Sequence, residues 1–257
     1  MPITSSHNDK LKAVRRLHRS RERSGTGRFV AEGEDLLAAA DAAGWPALER
    51  YCAAGSGLPG TEVEPEALAR ASALGSGTRA LAVYETRWAP VARGPLCVCL
   101  MGVADPGNVG AVLRSAVAFG AAGVALGPGC ADPFGPKAVR ASMGAIFTTP
   151  VTRIGSIDET PGERIALVAR TGEPLRGPLD EATLVVGAER TGLPDEVVAA
   201  CDRVAHIPIA SESMNAAMAA TVALYEASRG HFEDPTGMTL RSRNRPEGAP
   251  GSAGGSS

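Results

Sequence analysis

The sequence predicts an α/β protein: a larger C-terminal part built on a mainly parallel sheet with helices packed on it, preceded by a small α/β unit. Three observations carry that reading. Strand-like runs at 96–101, 124–126, 165–169, 184–186 and 204–207 alternate with stretches of helical spacing, the pattern of strands joined by crossover helices. The first run is apolar at every position, as a strand covered on both faces must be. A Pro- and Gly-punctuated stretch, 89–95, separates these runs from an independent strand and helix alternation upstream.

In chain order, residues 1–88 contain strand 29–31, helix 34–43, strand 48–53, helix 66–74 and strand 80–84, and 89–95 reads as a linker. The second domain spans 96–232. Its helices are marked by Val109, Val112, Leu113, Ala116 and Val117, and later by Met214, Ala217, Met218, Thr221, Val222 and Tyr225, which keep helical intervals. Residues 233–257 are rich in Gly, Ser, Pro and Arg and carry too few apolar groups to offset the cost of ordering, so a disordered tail is expected.

Composition narrows the class. With 257 residues, 44% hydrophobic and 21% charged, the chain suits a globular protein and not a disordered polymer. No apolar run approaches the roughly 18 residues that would cross a bilayer, and the first thirty residues lack the apolar core of a secretory signal, so a cytoplasmic protein is expected. Five scattered cysteines (Cys52, Cys97, Cys99, Cys130, Cys201) read as buried thiols. Zinc is disfavoured, because His7, His18, His206 and His231 are spread along the chain and Cys97 and Cys99 read as facing opposite sides of one strand. Charge is uneven: residues 1–30 carry +6 and the remainder −8. Such a basic end would steer a polyanion toward the protein, although a solvated helix face explains it equally well.

Four loops combine turn-forming residues with polar groups. Residues 105–110 (Asp-Pro-Gly-Asn-Val-Gly) follow a buried strand and open a helix, with Asn108 placed as N-cap and Arg114 off the apolar stripe; Gly110 leaves room for a ligand or a second backbone. Residues 127–136 hold three glycines and three prolines and lead to Lys137 and Arg140, two cations within about one helical turn. In 185–194, Gly187 and Gly192 bracket Glu189 at the end of an apolar strand, where α/β sheets hold their ligands. In 207–215, Ser213 is a natural N-cap and Asn215 falls in the first helical turn. Each loop alone is explained by ordinary capping and turn chemistry. The Rossmann and P-loop phosphate fingerprints are both missing.

Taken together, these segments resemble the SpoU (TrmH-like) branch of the SPOUT RNA methyltransferases. The first loop is similar to the family's first motif, with Asn108 and Arg114 on its polar positions; Gly187-Ala188-Glu189-Arg190-Thr191-Gly192-Leu193 is similar to its second; Ile207-Pro208-Ile209 with Ser213-Met214-Asn215 is similar to its third. The resemblance runs from Leu96 to about Arg229, and Ser6-His7-Asn8 with Arg28-Phe29-Val30-Ala31-Glu32-Gly33 resembles the small substrate-binding domain often fused ahead of it. Met214 stands where leucine is usual, and the stretch between Pro208 and Ser213 is short.

That resemblance implies a trefoil knot, an exception to unthreaded topology, and a homodimer whose active site is completed across the interface. It implies S-adenosylmethionine as methyl donor, held by Ala169, Gly187, Ile207 and Met214, and no metal. The implied reaction is methylation of a ribose 2'-hydroxyl in RNA, at guanosine or another nucleoside, with large-subunit ribosomal RNA as the expected substrate and transfer RNA as the alternative. Arg114 would activate the ribose or its phosphate, and Asn108, Glu189, Ser213 and Asn215 would hold the register. Lys10, Arg15, Arg16, Arg19, Arg28 and Arg140 would contact RNA. Two other readings are a non-catalytic RNA-binding module of the same fold and a nicotinamide-dependent oxidoreductase; the missing G-x-G-x-x-G opposes the latter.

Overall fold

The computed structural model describes residues 1–73, 77–211 and 214–230. Asn8 opens α1 (Asp9–Arg16) by accepting a hydrogen bond from the Lys10 amide at 3.0 Å. Asp9 in its first turn and Arg15 and Arg16 in its last complement the helix dipole. After α2 (Ser20–Thr26) the chain turns at Gly27, whose φ of 65° suits glycine best. Next come β1 (Arg28–Glu32), α3 (Glu34–Ala42), β2 (Glu49–Ala53), β3 (Thr61–Val63), α4 (Pro65–Ala71) and β4 (Ala80–Glu85). The sheet order is β1-β4-β2-β3, with β4 antiparallel to both neighbours and β3 parallel to β2. Alternate residues serve its two faces. Val30, Tyr51, Leu81 and Val83 pack with Leu11, Val14 and Leu68 under α1 and α4. Phe29, Ala31, Ala82 and Tyr84 face the rest of the protein.

The second unit contains β5 (Leu96–Met101), α5 (Pro106–Ala118), β6 (Gly123–Leu126), α6 (Pro136–Ala141), β7 (Val151–Arg153), β8 (Glu163–Leu167), β9 (Glu173–Pro174), β10 (Ala182–Gly187), α7 (Asp195–Ala199), β11 (Arg203–His206) and α8 (Ala216–Ala227). Its seven strands run in the order β7-β6-β5-β10-β8-β11-β9, every pair parallel. The chain leaves β5 toward β6 on one side and later returns to lay β10 on the other. The crevice above the carboxyl ends of β5 and β10 is therefore a topological switch point, where such sheets bind ligands. Register places Met101 beside Gly187 and Val186 beside Leu167 at that end.

Several expectations shift. The helix expected at 66–74 ends at Ala71, the strand at 165–169 ends at Leu167, and the final helix starts at Ala216 rather than 214. Cys97 and Cys99 do not face opposite sides: together with Met101 they share one face of β5, while Val98 and Leu100 take the other, as a two-residue pleat requires. The expected tail, 233–257, lies outside the described residues. No helix among the described residues is long and apolar enough to cross a membrane.

The two units share one core. Phe29, Trp45 and Tyr84 from the first meet Phe134 and Phe147 from the second, with ring centroids 5.0 Å apart for Phe29–Phe134 and 5.2 Å for Trp45–Phe147. Trp45 Nε1 donates to the Phe147 carbonyl at 2.8 Å, so the indole is buried without losing its hydrogen bond. The stretch read as a linker is tied down at its start, where the Ala89 amide donates to Val151 O at 2.7 Å.

Candidate active site

The loop after β5 shows how local rules shape the site. Pro106 lacks an amide hydrogen and fits only the first helical position, so α5 takes Asp105 as its N-cap, and the Asp105 carboxylate accepts from the Asn108 amide at 3.1 Å. Asn108 is thus not the cap expected from sequence; it lies one turn inside with its side chain free to reach elsewhere. Lys137 pairs with Asp105 at 2.8 Å and holds that carboxyl below its ordinary range. This cation is therefore paired within the protein. Gly110 makes room for a backbone, since a Cβ there would lie 2.4 Å from the Ala138 carbonyl of α6.

Three distant segments meet at one point. Asn108 Nδ2 donates to Glu189 Oε1, and Asn215 Nδ2 donates to Asn108 Oδ1 at 3.2 Å. Asn215, expected inside the helix, is in fact the N-cap of α8: its Oδ1 accepts from the Ala217 amide at 2.9 Å and the Met218 amide at 3.2 Å. One asparagine thus caps a helix with its oxygen and links two loops with its nitrogen. Ser213, the expected cap, lies outside the described residues. Asn108, Glu189 and Asn215 line an open polar cavity with Asp105, Arg190 and Thr191.

A second, mainly apolar cavity shares Ala188 and Glu189 with the first. It is walled by Ala169, Gly187, Ile207 and Met214, the four residues that the family resemblance implies for the methyl donor, together with Leu167 and Ile209. Gly187 is required by close approach: a Cβ there would stand 2.3 Å from Gly192 C, so the 187–192 turn folds tightly over the strand end. These walls fit S-adenosylmethionine. Small and branched apolar side chains suit its adenine ring and methylene groups, and the Glu189 carboxylate at the rim complements its positive charge.

Arg114 is not brought to this cavity. Six residues beyond Asn108 on a helix, it sits roughly 9 Å further along and about a third of a turn away around the axis. It is exposed and makes no hydrogen bond or ion pair among the described residues. Three residues on, Val117 is exposed, as are Met218, Val222 and Tyr225 on the neighbouring α8. Among the RNA candidates, Arg15, Arg16 and Arg19 line one open groove with Lys12, while Lys10, Arg16 and Arg28 line an adjoining one. Arg140 stands apart, on α6 beside Glu32 and Leu36. The sequence reading gave Arg190 no role, yet it is the cation beside Asn108 and Asn215; its place directly after Glu189 in a turn was the available signal.

A family model described as the SpoU rRNA Methylase family matches residues 95–225, just over half the chain. The chain belongs to the SpoU rRNA methylase family. This SpoU protein is 32% identical over 91% of its length to an uncharacterized tRNA/rRNA methyltransferase of Synechocystis, covering 96% of that relative. It is 28% identical over 87% of its length to the 23S rRNA (guanosine(2553)-2'-O)-methyltransferase RlmP of Bacillus subtilis, covering 97% of it. To a 23S rRNA (uridine(2479)-2'-O)-methyltransferase of Streptomyces viridochromogenes it is 36% identical over 52% of this chain, spanning about half (53%) of that relative. Among solved structures, the AdoMet-bound rRNA methyltransferase of Sinorhizobium meliloti superposes with a TM-score of 0.80 at 28% identity, over 89% of this chain and 97% of that one. The AdoMet complex of AviRb from Streptomyces viridochromogenes gives 0.79 at 26% identity, over 88% and 98%.

Proposed function

We propose that this SpoU protein is a cytoplasmic methyltransferase that moves a methyl group from S-adenosylmethionine to a ribose 2'-hydroxyl of ribosomal RNA. The observation that carries this reading is the hydrogen-bonded line Asn215–Asn108–Glu189, which joins three separate motifs beside an apolar cavity walled by Ala169, Gly187, Ile207 and Met214. The family and the AdoMet-bound neighbours support the same donor, and the rRNA names of the relatives support the same substrate class.

The donor, when bound, supplies a sulfonium methyl; the protein supplies position. Glu189 is fixed by Asn108, and Asn108 by Asn215, so the acceptor carboxylate enters the reaction already oriented. A 2'-hydroxyl is a weak nucleophile until its proton is drawn off or shared. Arg114 binds and activates the target ribose or its phosphate. In this reading the catalytic unit is a homodimer with a trefoil-knotted C-terminal domain. A second copy covers the exposed apolar side chains Val117, Met218, Val222 and Tyr225, and the neighbouring Arg114 is carried to the partner's cavity. The grooves lined by Lys10, Arg15, Arg16, Arg19 and Arg28 hold phosphates, and Ser213 joins Asn108, Glu189 and Asn215 in keeping the ribose in register.

The test is transfer of labelled methyl to total RNA, separated by size and mapped for 2'-O-blocked positions, with Arg114→Ala as control. Label is expected in large ribosomal RNA at one nucleoside, which the mapping identifies, and is expected to vanish in the variant. Label in transfer RNA would replace the substrate, and label in protein would overturn the reading.

A further inference from the structure

Arg23 is one of the eight basic residues that give the first thirty residues their charge, yet it is buried, the residue being only 6% exposed. Nη1 donates to the carbonyls of Leu17 and His18, at 2.9 Å each, and so closes the turn between α1 and α2. Nε and Nη2 reach Asp132 Oδ2 at 2.8 and 2.7 Å, in the loop between β6 and α6 of the other unit. The second Asp132 oxygen accepts from the Phe134 amide at 2.9 Å, and the Phe134 ring sits between Phe29 and Trp88 in the shared core. Glycine at 135 lets the guanidinium in, since a Cβ there would lie 3.2 Å from Nη2. A charge withdrawn from water persists only when paired and hydrogen-bonded, and lysine lacks the planar fork that serves both groups of acceptors.

The same loop runs on to the catalytic residues. The Gly102 amide donates to Pro128 O at 3.0 Å and the Ala131 amide to Val103 O at 2.9 Å. Residues 127–132 are therefore bonded to the β5–α5 connection that ends in Asp105 and Asn108. Hydrogen bonds and the short backbone stretches between them lead from the basic α1–α2 turn to the polar cavity. Lys12, Arg15, Arg16 and Arg19, which line the groove on α1 and just after it, are placed by these links relative to Asn108.

We propose that Arg23 is a positioning residue for substrate binding: through Asp132 it fixes the basic groove at a set distance from the catalytic cavity, so that the protein selects folded RNA long enough to occupy both at once. This rests on the functional reading above. Two contact regions on one rigid frame reinforce each other only for a ligand that spans them, and a loosened frame forfeits that gain while leaving each region intact.

The experiment compares wild type, Arg23→Ala, Arg23→Lys and Asp132→Asn on two RNAs: a transcribed domain of large-subunit ribosomal RNA containing the mapped target, and a short single strand containing only that target. Binding is read by fluorescence anisotropy and methyl transfer as kcat and KM, with donor affinity by calorimetry as the check that each variant is folded. Arg23→Lys and Asp132→Asn, which change side-chain volume little, keep the test open if Arg23→Ala does not fold. The expected result is an increase of about tenfold or more in Kd and KM for the long RNA, with kcat, donor affinity and short-strand KM within about twofold of wild type. Equal losses on both RNAs, or a fall in kcat alone, would reduce Arg23 to a structural role and overturn the proposal. So would a wild type that binds the long RNA no better than the short one. Failure of wild type to methylate either RNA, with long-RNA binding and its Arg23 dependence intact, would refute the reaction but support the positioning role.

Discussion

Replacing Gly187 by alanine probes the donor cavity with a single methyl group. The backbone at Gly187 is not left-handed, so alanine meets no conformational objection there. Its Cβ would stand 2.3 Å from Gly192 C, 2.4 Å from Gly192 O and 2.5 Å from Leu193 N, all backbone atoms without a rotamer to yield. Restoring ordinary contact at 3.4 Å requires the turn to move by about 1 Å, and Glu189 moves with it. Such overpacking costs about 1–3 kcal/mol of stability, and a displacement of that size at a reacting centre costs about a hundredfold in rate. Calorimetry with S-adenosylmethionine is expected to show affinity reduced about 10- to 100-fold, or about 1.4–2.8 kcal/mol, with a lower Tm. Gly192→Ala is the control. That residue has a φ of 68° and open space around its Cβ position, so alanine brings backbone strain of about 1–2 kcal/mol without a steric block. Wild-type donor affinity in a folded Gly187→Ala protein would show that the 187–192 turn does not wall the donor site.

Three further outcomes follow from particular contacts. Asn215→Ala removes the α8 cap and should cost about 0.5–2 kcal/mol in thermal or urea unfolding, whereas Asn215→Asp keeps the capping oxygen but loses the amide donor to Asn108, so it should recover stability without recovering methyl transfer. Burial lowers the His18 pKa below its ordinary 6.5 and outweighs the opposing pull of Glu32. The unfolded chain then takes up the proton first as pH falls through about 6.5, so acidification should cost stability, and His18→Asn should flatten Tm against pH between about 7.5 and 5.5; an unchanged slope would place the effect elsewhere. Cys52, Cys97 and Cys99 are buried and burial pushes the Cys97 thiol up to about 11, so a thiol reagent should label none of them in the folded protein and all after denaturation, leaving only the half-exposed Cys130 and Cys201 for native reaction.

What the sequence determined by itself was set by local pattern. A strand apolar at every position, 96–101, has to be covered on both faces, and helical spacing at 109–117 has to pack one stripe, so the parallel α/β arrangement was legible before any coordinates. Most residues of the two cavities were legible only through the resemblance of three separated motifs to one family; Gly187 and Glu189 belong to one of those motifs, and the fold supplies their reasons, close backbone approach for the first and the bond from Asn108 for the second. Strands of two or three residues, β3, β7 and β9, carry no period long enough to read.

Tertiary structure alone decided which polar groups were spent and which were left free. The cap at Asp105 was a local matter, since Pro106 fixed the helix start, but the bond from the Asn108 side chain to Glu189, 81 residues away, was not. Arg23, Lys137 and Arg114 are equal as letters, each a cation near a motif. Two are consumed by carboxylates 109 and 32 residues distant, and the third stands exposed on α5. A side chain's fate depends on what the fold brings within about 3 Å of it, and that distance is a property of the packed chain, with no counterpart in the order of its residues.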